Sequence, residues 1–309
     1  TRCFTTSRGG GWAVRAGYTP ITMMRRCLVL VVLLLSSLGF AQERIQDVIY
    51  LKQAGSAFTF DVFKPAKPTG AAVIFIVSGG WFSSHDSINP AFAKPLTDLG
   101  YTVFEVVHGS QPKYTIPEIV VQLRRAVRVI RADAKKYGID PNRIGVTGGS
   151  AGGHLSLMLG GTPVAGNPEA KDPVERVGSE VQSAVAFFPP TDFMNWGKPD
   201  YQPYDSPVLQ IFMPAFGVKK DATADERTQI AKTLSPITYV TSKFPPTLLI
   251  HGDKDMLVPI QQSQVMDAAL AKAGVKHDFI TVPGLGHDGA VVVAKMADVI
   301  KWFGETLGK

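Results

Sequence analysis

Apolar residues recur along the chain in two rhythms. Short continuous runs rich in β-branched residues read as strands buried on both faces. These are Ala71–Val77 and Tyr101–Val107; further strands are read in the run from Ile144 to the glycines at 148 and 149, Gln182–Phe188, Pro246–His251 and Lys276–Val282. Between them, apolar positions three or four apart predict helices. They cover Asn89–Leu99 closed by Gly100, Pro117 to about Tyr137 stopped by Gly138, Ala151–Gly160, Ile260–Ala273 stopped by Gly274, and Gly289–Leu307. In the second of these, Arg124, Arg125, Arg128 and Arg131 read as a solvated outer face. Ahead of them, Val48–Gln53 and Ala57–Lys64 alternate around Ala54-Gly55-Ser56 and predict an antiparallel hairpin at a sheet edge. Alternating strands and helices predict an α/β fold with a doubly wound, mostly parallel sheet.

Two stretches interrupt the rhythm. Thr162–Glu180 is polar and rich in Pro and Gly, a surface loop. From Pro189 to about Leu234 the pattern is irregular, with Asp225–Lys232 as one short helix. That is too long for a simple connection and predicts an inserted cap at about 189–234. Its Trp196, Tyr201, Tyr204, Phe212 and Phe216 either face a substrate or form the cap's own core.

Composition changes the picture at the N-terminus. The 309 residues carry a formal charge of +6, but residues 1–41 hold five arginines and no acid. The remainder has 27 basic and 26 acidic residues, so no cationic face for nucleic acid is implied. Met24-Arg25-Arg26, the apolar run Cys27–Leu35 and the small residues Gly39 and Ala41 form a signal-peptide pattern at 24–41. The run is shorter than the roughly 20 residues of a membrane span. Cleavage after Ala41 is therefore expected, with no stable membrane anchor, a secreted or periplasmic location and one domain over 42–309. Residues 1–23 read as an upstream artefact. Both cysteines, Cys3 and Cys27, precede the expected cleavage point, leaving no thiol chemistry beyond it.

The candidate chemistry centres on Gly148-Gly149-Ser150-Ala151-Gly152, a G-x-S-x-G turn between a strand and a helix. Such a turn exposes a nucleophilic serine at the C-terminal edge of a parallel sheet. A serine needs a base, and the base needs an orienting acid. The strand ending at His251 delivers Asp253 and Asp255. Asp255 is preferred as the acid, while Asp253 can hold the turn through backbone amides. The last strand leads through a glycine-rich turn to His287, the histidine that combines strand end, flexible turn and the order Ser, Asp, His. His251 and His154 read as structural. Oxyanion donors are expected from the N–H of Ala151 and from Gly79 and Gly80 in Ser78-Gly79-Gly80-Trp81.

Asp140-Pro141-Asn142-Arg143-Ile144-Gly145, leading into Gly148-Gly149-Ser150-Ala151-Gly152-Gly153-His154-Leu155, resembles the elbow of hormone-sensitive-lipase-like esterases. It is equally similar to that of secreted acetylxylan and feruloyl esterases. His251-Gly252-Asp253-Lys254-Asp255-Met256-Leu257-Val258-Pro259 resembles the group's acid motif, in which the aspartate four before the proline is catalytic. Gly286-His287 matches its histidine segment, and Phe188-Pro189-Pro190-Thr191-Asp192-Phe193 a segment of its carbohydrate-esterase branch. The resemblance covers about residues 58–307 and implies an α/β-hydrolase fold. Ser78, Trp81 and Asp192 are the substrate-binding candidates. One departure stands out. Where the group carries His-Gly-Gly-Gly-Trp, this chain has Val77-Ser78-Gly79-Gly80-Trp81, and the Tyr-Arg pair usual after the next strand is absent. Ser78 is a candidate to add a hydroxyl donor or to narrow the acyl pocket.

The expected function is hydrolysis of short-chain or carbohydrate-linked carboxylic esters by a serine enzyme that requires no metal or organic cofactor. The alternatives are a serine peptidase of prolyl-oligopeptidase type and a non-catalytic binding protein on the same fold. If His287 is the base, activity falls on acidification, because an imidazole already carrying its proton cannot take another from serine. A rate that stays flat between about pH 5 and pH 8 would count against this base.

Overall fold

The computed structural model describes residues 43–308. The expected signal peptide, the upstream residues and both cysteines lie outside the described residues. Among the described residues eight strands form one sheet in the order β1-β2-β4-β3-β5-β6-β7-β8. The strands are β1 Glu43–Gln53, β2 Ser56–Lys64, β3 Ala72–Val77, β4 Thr102–Val107, β5 Ile144–Gly149, β6 Ser183–Phe187, β7 Thr247–Gly252 and β8 His277–Val282. β3 to β8 run parallel, and β2 is antiparallel to both of its neighbours.

The principal helices are α1 Pro90–Thr97, α2 Ile116–Ala132, α3 Ala151–Gly161, α4 Ala224–Leu234, α5 Gln261–Lys272 and α6 Gly289–Thr306. Strand side chains alternate between faces. Val73 and Val103 pack with α1 and α6, whereas Ile74 and Phe104 pack with α2 and α3. Helices therefore cover both faces, as the doubly wound pattern requires. Starts are capped as their sequences suggest. Thr115 and Glu118 form a capping box on α2, Thr223 and Glu226 one on α4, and Asp288 accepts from the Ala290 N–H at α6.

The structure departs from the hydrophobic pattern in three places. β1 begins at Glu43 rather than Val48, because an edge strand is defined by its pairing. Glu43–Ile45 pair with Lys64–Val62 although mostly exposed. The helix expected to reach Tyr137 breaks at Asp133 and resumes as one turn, Ala134–Tyr137. That turn sets Tyr137 edge-on to Phe60 and Phe104 in the core. The arginines of α2 are not a solvated face. Arg125 pairs with Asp172 and Glu175 at 2.6 and 2.7 Å, Arg128 grips Glu175, and Arg131 donates to the carbonyls of Pro141, Gly178 and Glu180. Together they pin the 162–180 loop.

One buried pair bears on the site wall. Asp61 on β2 stands directly opposite Glu105 on β4, and both are buried. Arg44 compensates Asp61 at 2.6 Å, while Glu105 accepts the Asn89 N–H at 2.8 Å, at the start of α1. Burial pushes the Glu105 carboxyl up to about 7, reinforced by Asp61 and opposed by the Asn89 N–H and Arg44. Its ordinary value is 4.5. A folded-state pKa above the unfolded one means stability is lost as pH rises through this window. Glu105→Gln is therefore expected to raise the melting temperature at about pH 8 and leave it nearly unchanged at about pH 4. Equal shifts at both would show that the carboxyl is not held protonated.

Candidate active site

Ser150 occupies the turn from β5 into α3 with φ 53° and ψ −120°. This positive-φ backbone costs a residue with a side chain about 1–3 kcal/mol. Two bonds hold it: the Ser150 N–H donates to Phe187 O on β6, and its carbonyl accepts from the His154 N–H, each at 2.9 Å. The flanking glycines answer to backbone contact. A Cβ at Gly148 would stand 2.6 Å from the Gly152 carbonyl carbon, and one at Gly152 would stand 2.8 Å from Ile76 O on β3.

His287 Nε2 lies 2.8 Å from Ser150 Oγ, and His287 Nδ1 lies 2.7 Å from Asp255 Oδ2. A carboxylate only accepts, so Nδ1 carries the proton and the Nε2 lone pair faces the hydroxyl. The Asp255 side chain is fully buried, and its Oδ1 accepts the N–H groups of Leu257 and Val258 at 2.9 and 2.8 Å. Burial works to raise its pKa. Hydrogen bonds from His251, His287 and the Val258 N–H outweigh that and hold the carboxyl well below the usual carboxylate range. His251 is the buttress. Its Nε2 donates to Val258 O at 2.9 Å and lies 3.3 Å from Asp255 Oδ2, while its Nδ1 accepts from Ser263 Oγ.

Asp253 points elsewhere and stitches two loops together. Its Oδ1 accepts the Gly284 N–H at 2.7 Å, its own N–H donates to Val282 O, and Lys254 N–H donates to Leu285 O. The loops after β7 and β8, which carry Asp255 and His287, are thus joined by backbone.

The loop after β3 is a tight turn. Gly79 and Phe82 exchange two backbone hydrogen bonds, and Gly80 and Trp81 between them both have positive φ, 55° and 61°. This corrects the expectation for Gly79, whose N–H donates to Phe82 O at 3.0 Å and is occupied. The Gly80 N–H meets no protein acceptor among the described residues. That of Ala151, the first residue of α3, has no partner within its helix. Ser78 borders the cavity, but its Oγ is sealed and unpartnered among the described residues, so the expected hydroxyl donor is not presented. Asp192 is a second correction. Its carboxylate accepts from Met194 N, Asn195 N and Asn195 Nδ2, closing a local turn away from the cavity.

Several supports went unseen in the sequence. Gln111 donates from Nε2 to Gly80 O at 2.7 Å and from its N–H to Trp81 O at 3.2 Å. Ser110 Oγ donates to Ser83 O and accepts the Ser83 N–H, tying the same loop to the end of β4. No spacing rule connects these residues; only the parallel pairing of β3 with β4 brings them together.

Ser150 opens into a cavity of about 560 Å³. Among the described residues nine Phe and Trp side chains line it, against five polar side chains, two of which are Ser150 and His287. Trp196, Phe212 and Phe216 of the cap face it, so these rings are both cap core and cavity wall. Tyr201 and Tyr204 do not line it. Phe92 of α1 does, stacked on Phe75 at 5.1 Å. Among the described residues no three His, Cys, Asp or Glu side chains gather to hold a metal ion, and no helix is long and apolar enough to cross a membrane.

Residues 60–270 match the model of the BD-FAE family. The chain is 31% identical over 206 residues to Esterase LipQ of Mycobacterium tuberculosis, covering 66% of this chain and 47% of that protein. It spans about half the length of the curated relatives it matches. A truncated carbohydrate esterase from gut microbiota superposes with a TM-score of 0.71 at 29% identity, covering 86% of this chain and 97% of that one. An acetyl ester-xyloside bifunctional hydrolase from Caldicellulosiruptor lactoaceticus superposes with a TM-score of 0.68 at 27% identity, covering 84% and 93%.

The elbow contacts generate a test of their own. Gly148→Ala must push the Gly152 backbone aside, so it is expected to lower the melting temperature and to abolish covalent labelling of Ser150 by a fluorophosphonate. Labelling at the wild-type rate would show that the turn accommodates a Cβ.

Proposed function

The chain belongs to the BD-FAE family, and from that premise we propose that it hydrolyses carboxylic esters through an acyl-enzyme on Ser150. The observation that carries the reading is the pair of hydrogen bonds Ser150 Oγ–His287 Nε2 and His287 Nδ1–Asp255 Oδ2 at the floor of an apolar cavity. Ser150 Oγ attacks the ester carbonyl as His287 Nε2 takes its proton. Charge on the carbonyl oxygen is met by the N–H groups of Gly80 and Ala151, each such donor contributing about 2.7–4 kcal/mol in comparable sites. Collapse breaks the ester C–O bond, and His287 returns the proton to the departing alkoxide. Water then repeats the sequence and frees the acid. Asp255 fixes the imidazole tautomer and stabilises its cationic form.

The lining favours the apolar half of the ester inside the cavity. A cavity of about 560 Å³ is within the size range of small-molecule sites. Sugar hydroxyls would find few partners there, so in a carbohydrate-linked ester the sugar stays at the mouth. The names of the two structural neighbours, a carbohydrate esterase and an acetyl ester-xyloside hydrolase, support short-chain or carbohydrate-linked esters as substrates. Export rests on the pattern of residues 24–41; the N-terminal sequence of the protein recovered outside the cytoplasm tests it.

A fluorophosphonate probe is expected to label the wild-type protein and not Ser150→Ala, with p-nitrophenyl acetate hydrolysed and aminoacyl p-nitroanilides left intact. No labelling would sink the reading. Asp255→Asn, which presents an amide to His287 Nδ1, is expected to lower kcat on the order of ten-thousand-fold with the fold retained.

A further inference from the structure

His154 is fully buried on the first turn of α3, four residues after Ser150, and takes no part in the proton relay. Both of its ring nitrogens are engaged. The Trp81 indole N–H, 3.2 Å away, can only donate, so Nδ1 accepts. Nε2 therefore carries the proton and donates to Leu234 O at 2.8 Å. Leu234 is the last residue of α4, where helix carbonyls lack partners of their own. Burial, opposed by the Leu234 carbonyl, pushes the imidazole down to about 4, so this neutral tautomer persists at neutral pH.

Trp81 is an unexpected residue for its place. It sits at φ 61°, next to Gly80 at φ 55°, in a turn whose central positions suit glycine. Its backbone is strained, and its side chain supplies the anchor. The indole is bonded to His154 and packed edge-on against Phe212 and Phe216 of the cap. Phe212 also lies directly over Gly80, where a Cβ would meet its ring at 2.4 Å. His154 thus connects three things that arrive from distant parts of the chain: the helix behind the serine, the turn bearing the Gly80 N–H, and the end of the cap helix.

We propose that His154 is a positioning residue that sets the Gly80 N–H relative to Ser150 by gripping Trp81, and that it couples this setting to α4. The proposal rests on the ester-hydrolase reading. The Gly80 N–H meets its charge only in the transition state, so misplacing it slows turnover more than it weakens substrate binding.

The test compares kcat and KM on p-nitrophenyl esters, normalised to Ser150 labelled by a fluorophosphonate. His154→Phe keeps a flat ring and removes both bonds. Trp81→Phe removes the indole donor alone. His154→Gln retains one acceptor and one donor. His154→Phe and Trp81→Phe are each expected to lower kcat roughly 10–100-fold with KM little changed. The double variant is expected to be little worse than the poorer single one, and His154→Gln to recover part of the loss. If His154→Phe does not fold, Trp81→Phe alone decides. A lowered melting temperature with unchanged turnover per labelled serine would overturn the proposal and leave the ester-hydrolase reading intact. A wild-type protein that takes no label would remove both.

Discussion

At the elbow, the backbones of β5, α3 and β3 pass so close that no Cβ fits between them. The Gly148–Gly152 and Gly152–Ile76 contacts are the closest. This approach lifts Ser150 above the sheet edge in a backbone region that side chains avoid. It also sets β3 beside β5, and so brings the Gly79–Phe82 turn next to the serine. Steric exclusion of any Cβ thus accompanies the close approach of β3, β5 and α3 at the elbow. The hydrogen bonds of Ser150 with Phe187 and His154 hold the turn there.

Around that point the polar groups are arranged with little slack. The carboxylate of Asp255 is buried, yet two backbone N–H groups and two imidazoles surround it, so its charge is stabilised where water is absent. The cavity above is lined chiefly by rings and aliphatic groups. In such surroundings a few fixed donors act more strongly than they would in water. The same surroundings make unpaired groups costly. That is consistent with Asp192 turning its carboxylate onto local amides instead of the cavity.

Much of the fold was legible because β3 to β7 are buried runs punctuated by glycine or proline, and buried strands announce themselves by composition, while β8 at the sheet edge is mostly half-buried or exposed. The placement of Ser150, Asp255 and His287 at strand ends followed from that alternation and from chain order. What stayed hidden depends on partners far away in sequence. The first five residues of β1 are polar apart from Ile45, and it is the pairing of Glu43–Ile45 with β2 that makes this end a strand. Arg128 looked solvated until Glu175, 47 residues on, closed over it. The choice between Gly79 and Gly80 turns on a single backbone bond to Phe82. His154 was readable as a buried helical residue, but its partners lie 73 residues before it and 80 after. Spacing rules reach one helical turn or one hairpin and no further.

The stitching of the loops after β7 and β8 divides the site into two bodies. Two main-chain bonds, Asp253 to Val282 and Lys254 to Leu285, and the Asp253 carboxylate on the Gly284 N–H bind the acid loop to the histidine loop. Asp255 and His287 therefore ride together, while Ser150 is carried by β5 and α3. Ser150 Oγ and His287 Nε2 meet at 2.8 Å where the two groups adjoin, beside the Phe188 ring packed on His287. The contact between Asp255 and His287 is thus braced by bonds in which Ser150 takes no part.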